Sequence, residues 1–174
     1  MRIGIGTVAT ICLLVGCQQP RPVCGDLEGA WQITSIREEG PADTSSNLDP
    51  QPSVIIFTPS HYSMVWIPGS TATQAFAERW NPTDDEKIAR YGEIVVNAGW
   101  YELTDSTLTT HPLVARVPEF MGGSLLYRYQ LVGDTLILTT LDEYSYDSVQ
   151  APWVGAGTQV TLVLTCIDDI SHPR

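Results

Sequence analysis

Apolar and polar side chains alternate along residues 31–36 of this chain, with Trp31, Ile33 and Ser35 to one side and Gln32, Thr34 and Ile36 to the other. A period of two belongs to a pleated strand, so the stretch C-G-D-L-E-G-A-W-Q-I-T-S-I-R from Cys24 reads as the first strand of an antiparallel barrel. Residues 38–52, E-E-G-P-A-D-T-S-S-N-L-D-P-Q-P, have little to bury and predict a long loop near the barrel mouth. Two β-rich runs come next, S-V-I-I-F-T at 53–58 and H-Y-S-M-V-W-I at 61–67, split by Pro59-Ser60 as in a hairpin. In the second run Tyr62, Met64 and Trp66 share a face.

Between residues 68 and 99 the period changes. P-G-S-T-A-T-Q and then A-F-A-E-R-W-N-P predict a lid segment, with a helical turn that places Phe76 and Trp80 on one side. Thr83-Asp84-Asp85-Glu86 has the spacing of a capping box at a helix start. Ile88, Tyr91 and Val95 recur at helical spacing, and Gly99 is placed to end the helix, while Ile94-Val95-Val96 is a competing strand signal. Strand and turn return at 100–103, the Thr104-Asp105-Ser106 turn and 107–113. Pro112 and Pro118 bound V-A-R-V, ahead of a Gly122-Gly123 bend. The runs 125–132 and 135–141 are joined by the tight pair Gly133-Asp134, and the loop D-E-Y-S-Y-D-S-V-Q-A-P-W-V-G-A-G leads to a last strand at 158–166. About eight strands, one helix and no parallel crossover unit predict an all-β fold, an antiparallel up-and-down barrel.

Composition and the chain start add an address. M-R-I-G-I-G-T-V-A-T-I-C-L-L-V-G-C pairs Arg2 with an apolar run too short to span a bilayer, which takes roughly 20 residues. Its ending, Leu14-Val15-Gly16-Cys17, resembles the lipobox of bacterial lipoproteins, in which the cysteine thiol is acylated and the chain is cut before it. That resemblance implies a signal peptide over 1–16, lipidation at Cys17, a tether over 17–24, a barrel domain over 25–167 and a tail over 168–174. An ordinary secretory peptide or an N-terminal core strand is the alternative. Gln18, where an aspartate would imply retention at the inner membrane, implies the outer membrane in an organism that has one. The chain carries 9 basic and 20 acidic side chains, a formal net charge of −11, and loss of Arg2 makes it one unit more negative. Such a surface disfavours nucleic acid and anionic headgroups, so membrane attachment would come from the acyl chains.

Cysteine usage agrees with export. With Cys12 in the signal and Cys17 under lipid, Cys24 and Cys166 remain, one just before the first strand and one at the end of the last. These points are neighbours in a closed barrel, so a disulfide between Cys24 and Cys166 is expected; two buried free thiols are the alternative. Closing so long a loop would constrain the unfolded chain by up to about 5 kcal/mol.

Five stretches in order carry a further resemblance: Gly29-x-Trp31; Phe57-Thr58-Pro59-Ser60-His61-Tyr62-Ser63-Met64; Asn97-Ala98-Gly99-Trp100-Tyr101-Glu102-Leu103; Pro118-x-Phe120-Met121; and Gly133-Asp134-Thr135-Leu136. Together they resemble the bacterial lipocalin-like domains of the wider calycin group. The resemblance implies a barrel closed at one end and open at the other to small, largely apolar ligands. The T-D-Y motif of typical lipocalins is absent, and no obvious basic residue stands late in the chain to cover Trp31.

The candidate polar set is His61, Tyr62, Tyr101, His111, Arg116, Tyr127, Arg128 and Tyr129. Tyr127 and Tyr129 share a strand face with Leu125 and Leu131, and Arg128 lies on the other with Leu126 and Gln130. A pocket lined by Trp31, Tyr62, Met64, Trp66, Tyr101, Tyr127 and Tyr129, with Arg116 as partner for a ligand anion, would suit a small hydrophobic or amphipathic molecule. Tyrosines that only fill the core, and an Arg116 held by a carboxylate, are the alternatives. His61 beside its turn is either an acid or base near neutral pH or a residue that holds the turn. His61, His111 and His172 lack metal-ligand spacing, and Asp142, Glu143 and Asp147 lack an EF-hand pattern, so no metal and no cofactor is expected.

Three functions are compatible with this reading. The first is a monomeric, lipid-anchored binder of a small hydrophobic or amphipathic molecule at the cell envelope. The second is a barrel enzyme of isomerase or hydratase type, which needs His61, a tyrosine and Arg116 to face one cavity. The third is an envelope interaction protein whose barrel is filled by its 5 tryptophans and 7 tyrosines.

Overall fold

Each strand runs antiparallel to its neighbours in the computed structural model, which describes Cys24 and residues 27–167. The expected signal peptide, Cys17, the tether up to residue 23, His172 and the tail lie outside the described residues. The order is β1 (Gly29–Glu39), β2 (Thr44–Asn47), β3 (Gln51–Phe57), β4 (His61–Ile67), α1 (Asp84–Glu93), β5 (Val95–Leu103) and β6 (Thr107–Ala115). A 3-10 turn (Pro118–Phe120), β7 (Ser124–Val132), β8 (Thr135–Tyr144), α2 (Pro152–Gly155) and β9 (Gln159–Cys166) complete it. Consecutive strands pair from β3 to β9, and β1 pairs β9 from Trp31 to Glu39, which closes the barrel. The half of β1 from Ile36 to Glu39 pairs β2 and the half from Gly29 to Gln32 pairs β3, so β2 and β3 fill one wall position and the barrel has eight staves.

The long loop expected over 38–52 is therefore corrected: β1 extends to Glu39, β2 forms inside the segment and β3 starts at Gln51. The side chains of β2 are almost all exposed, so it shows no apolar alternation; its backbone bonds to β1 make it a strand.

The capping box forms as expected. Thr83 Oγ1 accepts from Glu86 N at 3.3 Å, and Glu86 Oε2 accepts from Thr83 N at 2.8 Å. The helix ends at Glu93, however, and Ile94 is already extended. The β-branched Ile94-Val95-Val96 signal wins because β5 bonds along both edges, to β4 and β6. Gly99 serves a close approach rather than a helix end: a Cβ there would lie 2.0 Å from His111 O. The helical turn expected around Phe76 and Trp80 is a single turn closed by Asn81 N donating to Glu78 O at 3.1 Å, and Trp80 is 92% exposed.

The core concentrates at the end where the connections 58–60, 104–106 and 133–134 are short. Trp31, Ile33, Ile55, Leu108, Leu136 and Leu164 are fully buried, and Phe57 packs edge-on against Tyr101 with centroids 5.4 Å apart. Trp31 Nε1 donates to Leu27 O at 2.9 Å, which supplies the partner that no late basic residue provides. The Cys24–Cys166 disulfide spans a Cα–Cα distance of 6.0 Å at this closed end. The three longest connections, 68–94, 116–123 and 145–158, all sit at the open end.

Bulges interrupt four of the pairings. On β1, Ile33 faces Leu164 but Ser35 faces Val163, so Thr34 is an extra residue and Ile36 turns into the core, contrary to the simple alternation. The same slip occurs at Leu113 of β6, at Leu141 of β8 and between Gln51 and Val54 of β3.

Candidate functional site

Beyond the bulges the inward-facing side chains no longer fill the barrel. A cavity of about 410 Å³ occupies the open half. Met64 from β4, Leu125 from β7 and Val160 and Leu162 from β9 give it apolar walls; Val117 and Phe120, from the 116–123 connection, form part of its rim. Two of its buried polar groups are satisfied within the wall. Asn97 Nδ2 lies 3.9 Å from Met64 Sδ, and Thr140 Oγ1 accepts from Val160 N at 2.8 Å while donating to Val160 O at 3.1 Å. An outer cleft of about 480 Å³ shares Val117, Phe120, Glu143 and Trp153 with the cavity and continues along residues 145–153.

Among the described residues that line the cavity, Arg116 is the one cation and Glu143 the one carboxylate. Arg116 N donates to Val96 O at 2.8 Å, continuing the β5–β6 ladder past its last paired residue. Its Nη1 donates to Tyr91 O, its guanidinium lies 5.0 Å from the centroid of the Tyr91 ring, and Tyr91 OH donates back to Arg116 O at 3.1 Å. This clamp ties α1, none of whose side chains is buried, to the barrel rim. No carboxylate among the described residues pairs with Arg116, and its buried Nε meets no hydrogen-bond acceptor. The buried Trp66 Nε1 likewise has no acceptor.

Glu143 enters the cavity because Leu141 is the extra residue of β8. Leu136, Leu138 and Thr140 point inward on even positions, and the bulge moves the inward side to odd ones. Burial pushes the Glu143 carboxyl above the ordinary glutamate range, partly opposed by Trp153 Nε1 donating to Oε2 at 2.9 Å. Trp153 is held there by α2, whose Ala156 N bonds Pro152 O, and by Ala151 N donating to Glu143 O at 2.9 Å. Burial also raises the phenol of Tyr127 well above its usual value, with the neighbouring Tyr62 and Glu143 adding to the effect.

Of the residues expected to bind ligand, Met64, Trp66, Arg116 and Tyr127 come together around this cavity. Trp31, Tyr62, Tyr101 and Tyr129 do not line it. Trp31 and Tyr62 belong to the buried core, and burial raises the Tyr62 phenol. Tyr101 OH donates to Thr58 O at 2.7 Å and Tyr129 OH to Thr104 O at 3.2 Å, so both hold closed-end turns. Arg128 is exposed. His61 is exposed with Nδ1 2.8 Å from Ser60 Oγ, and His111 stacks on Trp100 on the outer wall with centroids 3.8 Å apart. His61 and Arg116 therefore face no common cavity.

Asn97, Phe120, Thr140, Glu143 and Trp153 are cavity residues that the sequence pattern did not single out. Phe120 and Asn97 stand within the stretches that carry the family resemblance, and Pro152 just ahead of Trp153 is a helix-start signal. Glu143 had no signal, because a bulge reverses its facing. Comparison with curated proteins and with solved structures gives no significant match. The profile of the Lipocalin-like domain matches residues 28–160, most of the chain and all of the barrel except most of β9. Closed eight-stave wall, buried Gly-x-Trp strand and matched profile agree, and the chain belongs to the Lipocalin-like domain family.

Proposed function

We propose that this protein holds a small hydrophobic or amphipathic molecule in the open half of its barrel, as a monomer anchored to the cell envelope through lipid on Cys17. The observation that carries the first part is the 410 Å³ cavity, apolar along β4, β7 and β9 and supplied with a few convergent polar groups. Aromatic and aliphatic side chains fill the closed half but leave the open half hollow, so a fully filled barrel is not the better reading. An enzyme built on His61, a tyrosine and Arg116 lacks the shared cavity it needs. The anchor rests on Leu14-Val15-Gly16-Cys17, and the oxidised Cys24–Cys166 pair agrees with an exported chain.

Native mass spectrometry on the chain from Gln18 onward, exported without lipid and with its disulfide checked by intact mass, tests the binding part. A co-purifying small molecule is expected, and Leu162→Trp, which fills the cavity, is expected to lose it. Retention of the molecule by the filled variant would move the site elsewhere. For the anchor, the full chain in a bacterial host is expected to incorporate a labelled fatty acid that Cys17→Ser does not; equal labelling of the two would remove the lipid on Cys17 from the proposal.

A further inference from the structure

Two polar atoms on one wall of the cavity stay open. Tyr127 on β7 is only 2% exposed, but its OH has no hydrogen-bond partner among the described residues and is not sealed off, so an atom in the cavity can touch it. Glu143 stands on the neighbouring strand, β8. Tyr127 pairs Thr140 and Leu125 pairs Glu143, which puts the two inward side chains two ladder steps, about 7 Å, apart along the wall. Glu143 Oε2 takes the Trp153 N–H, while Oε1 has no partner among the described residues and is likewise open. Most other polar groups are shut away or already used. Trp66 Nε1, Arg116 Nε and Tyr62 OH have no surface that a ligand can reach. Arg116 gives Nη1 and the face of its guanidinium to Tyr91, and Val160 takes the Thr140 hydroxyl both as donor and as acceptor. Asn97 turns Nδ2 to Met64 Sδ and keeps Oδ1 as a further acceptor. Met64, Val160 and Leu162 bring only apolar surface.

We propose that the cavity selects an uncharged amphiphile whose polar end carries hydroxyls, hydrogen-bonded to Tyr127 OH and Glu143 Oε1, with its apolar chain against Met64, Val160 and Leu162. This rests on the binding role proposed above and names the ligand class for that same cavity. A hydroxyl both donates and accepts, so it matches a phenol, which does the same, and a carboxyl in either protonation state. A carboxylate on the ligand would set a second acid beside Glu143, and the guanidinium that could offset it is turned to Tyr91. An ammonium would need Glu143 ionised, which burial disfavours. Fatty alcohols and monoacylglycerols share the selected chemistry, an alkyl or acyl chain ending in neutral hydroxyls.

The test is isothermal titration of the chain from Gln18 onward, disulfide intact, with 1,2-octanediol, octanoate and octylammonium, which share one chain length and differ in the polar end. Nile red fluorescence, from a neutral dye without a hydroxyl, probes for any apolar pocket. Tightest binding among the eight-carbon probes is expected for the diol, with octanoate and octylammonium each weaker by roughly tenfold or more. Tyr127→Phe keeps the ring and removes the hydroxyl, so the diol should lose affinity several-fold relative to Nile red. Glu143→Leu should do the same and also narrow the gap between diol and octanoate. Each ratio is taken on a single variant, so a partly unfolded sample does not imitate the effect. Octanoate or octylammonium bound as tightly as the diol, or a ratio of diol to Nile red that neither substitution moves, would overturn the hydroxyl-bearing ligand. Nile red bound while none of the eight-carbon probes binds would overturn it and leave the carrier role standing; no binding of any of the four would overturn both.

Discussion

Burial in an apolar cavity favours the neutral form of a carboxyl, and Glu143 is subject to that effect. Its folded value is raised by burial and only partly restored by the Trp153 N–H bond, so the folded chain holds its proton to a higher pH than the unfolded chain does. Below the unfolded value both states are protonated and nothing is lost. As pH rises from there through the folded value, the unfolded chain has already released the proton, and stability falls across that window. Glu143→Gln should flatten this decline in a plot of urea midpoint against pH; the same slope in both proteins would assign the proton to another group. Arg116 shows the complementary case, a cation kept at the rim by the face and backbone carbonyl of one tyrosine.

At the scale of elements, bulges decide more than strands do. Thr34, Leu113 and Leu141 each add a residue partway along a strand, and each reverses the facing of the residues beyond it. Ile36, Ala115 and Glu143 face inward for this reason. The β6 bulge lies against Gly99, where β5 and β6 approach too closely for a side chain, with His111 O only 2.0 Å from a would-be Cβ. Gly99→Ala should therefore push the two strands apart and destabilise the barrel by about 1–3 kcal/mol, read from urea unfolding. A variant as stable as the parent would show that the approach can relax freely. The helix α1 behaves differently: well capped and wholly without buried side chains, it should contribute little to the stability of the barrel it covers.

Over the whole molecule the barrel divides into a packed half and a hollow half. The closed half holds the fully buried side chains, the short turns and the disulfide that joins the two ends of the barrel chain. The bond closes a loop with a sequence separation of 142, so its loss should weaken the fold by about 2–5 kcal/mol. Unfolding of a Cys24→Ser/Cys166→Ser double variant, compared with the oxidised parent, measures this; equal midpoints would show that β1–β9 pairing alone holds the seam. The hollow half has long connections instead of short turns, and its rim is made by segments such as Pro118–Phe120 that belong to no strand.

Much of this arrangement is legible along the chain. The alternation after Gly29, the turn pairs at Pro59-Ser60 and Gly133-Asp134 and the capping box at Thr83 are local signals that the folded barrel leaves in place, as is the pairing expected of Cys24 with Cys166. The inward facing of Trp31 and Tyr62 could be read from them, because both lie on the closed-end side of any bulge in their strands; that they fill the core instead of lining a pocket could not. The hollow half could be read only in part. A strand with both faces wet, such as β2, has no pattern to read, and Ile94-Val95-Val96 chooses between helix and strand only when β4 and β6 offer bonds on both edges. Facing beyond a bulge depends on how two strands register against each other, which is a property of the closed sheet and of no single segment. That is why Met64 and Trp66, on a strand without a slip of its own, were found from sequence, while Glu143 and Ala115 became cavity residues only when the barrel closed.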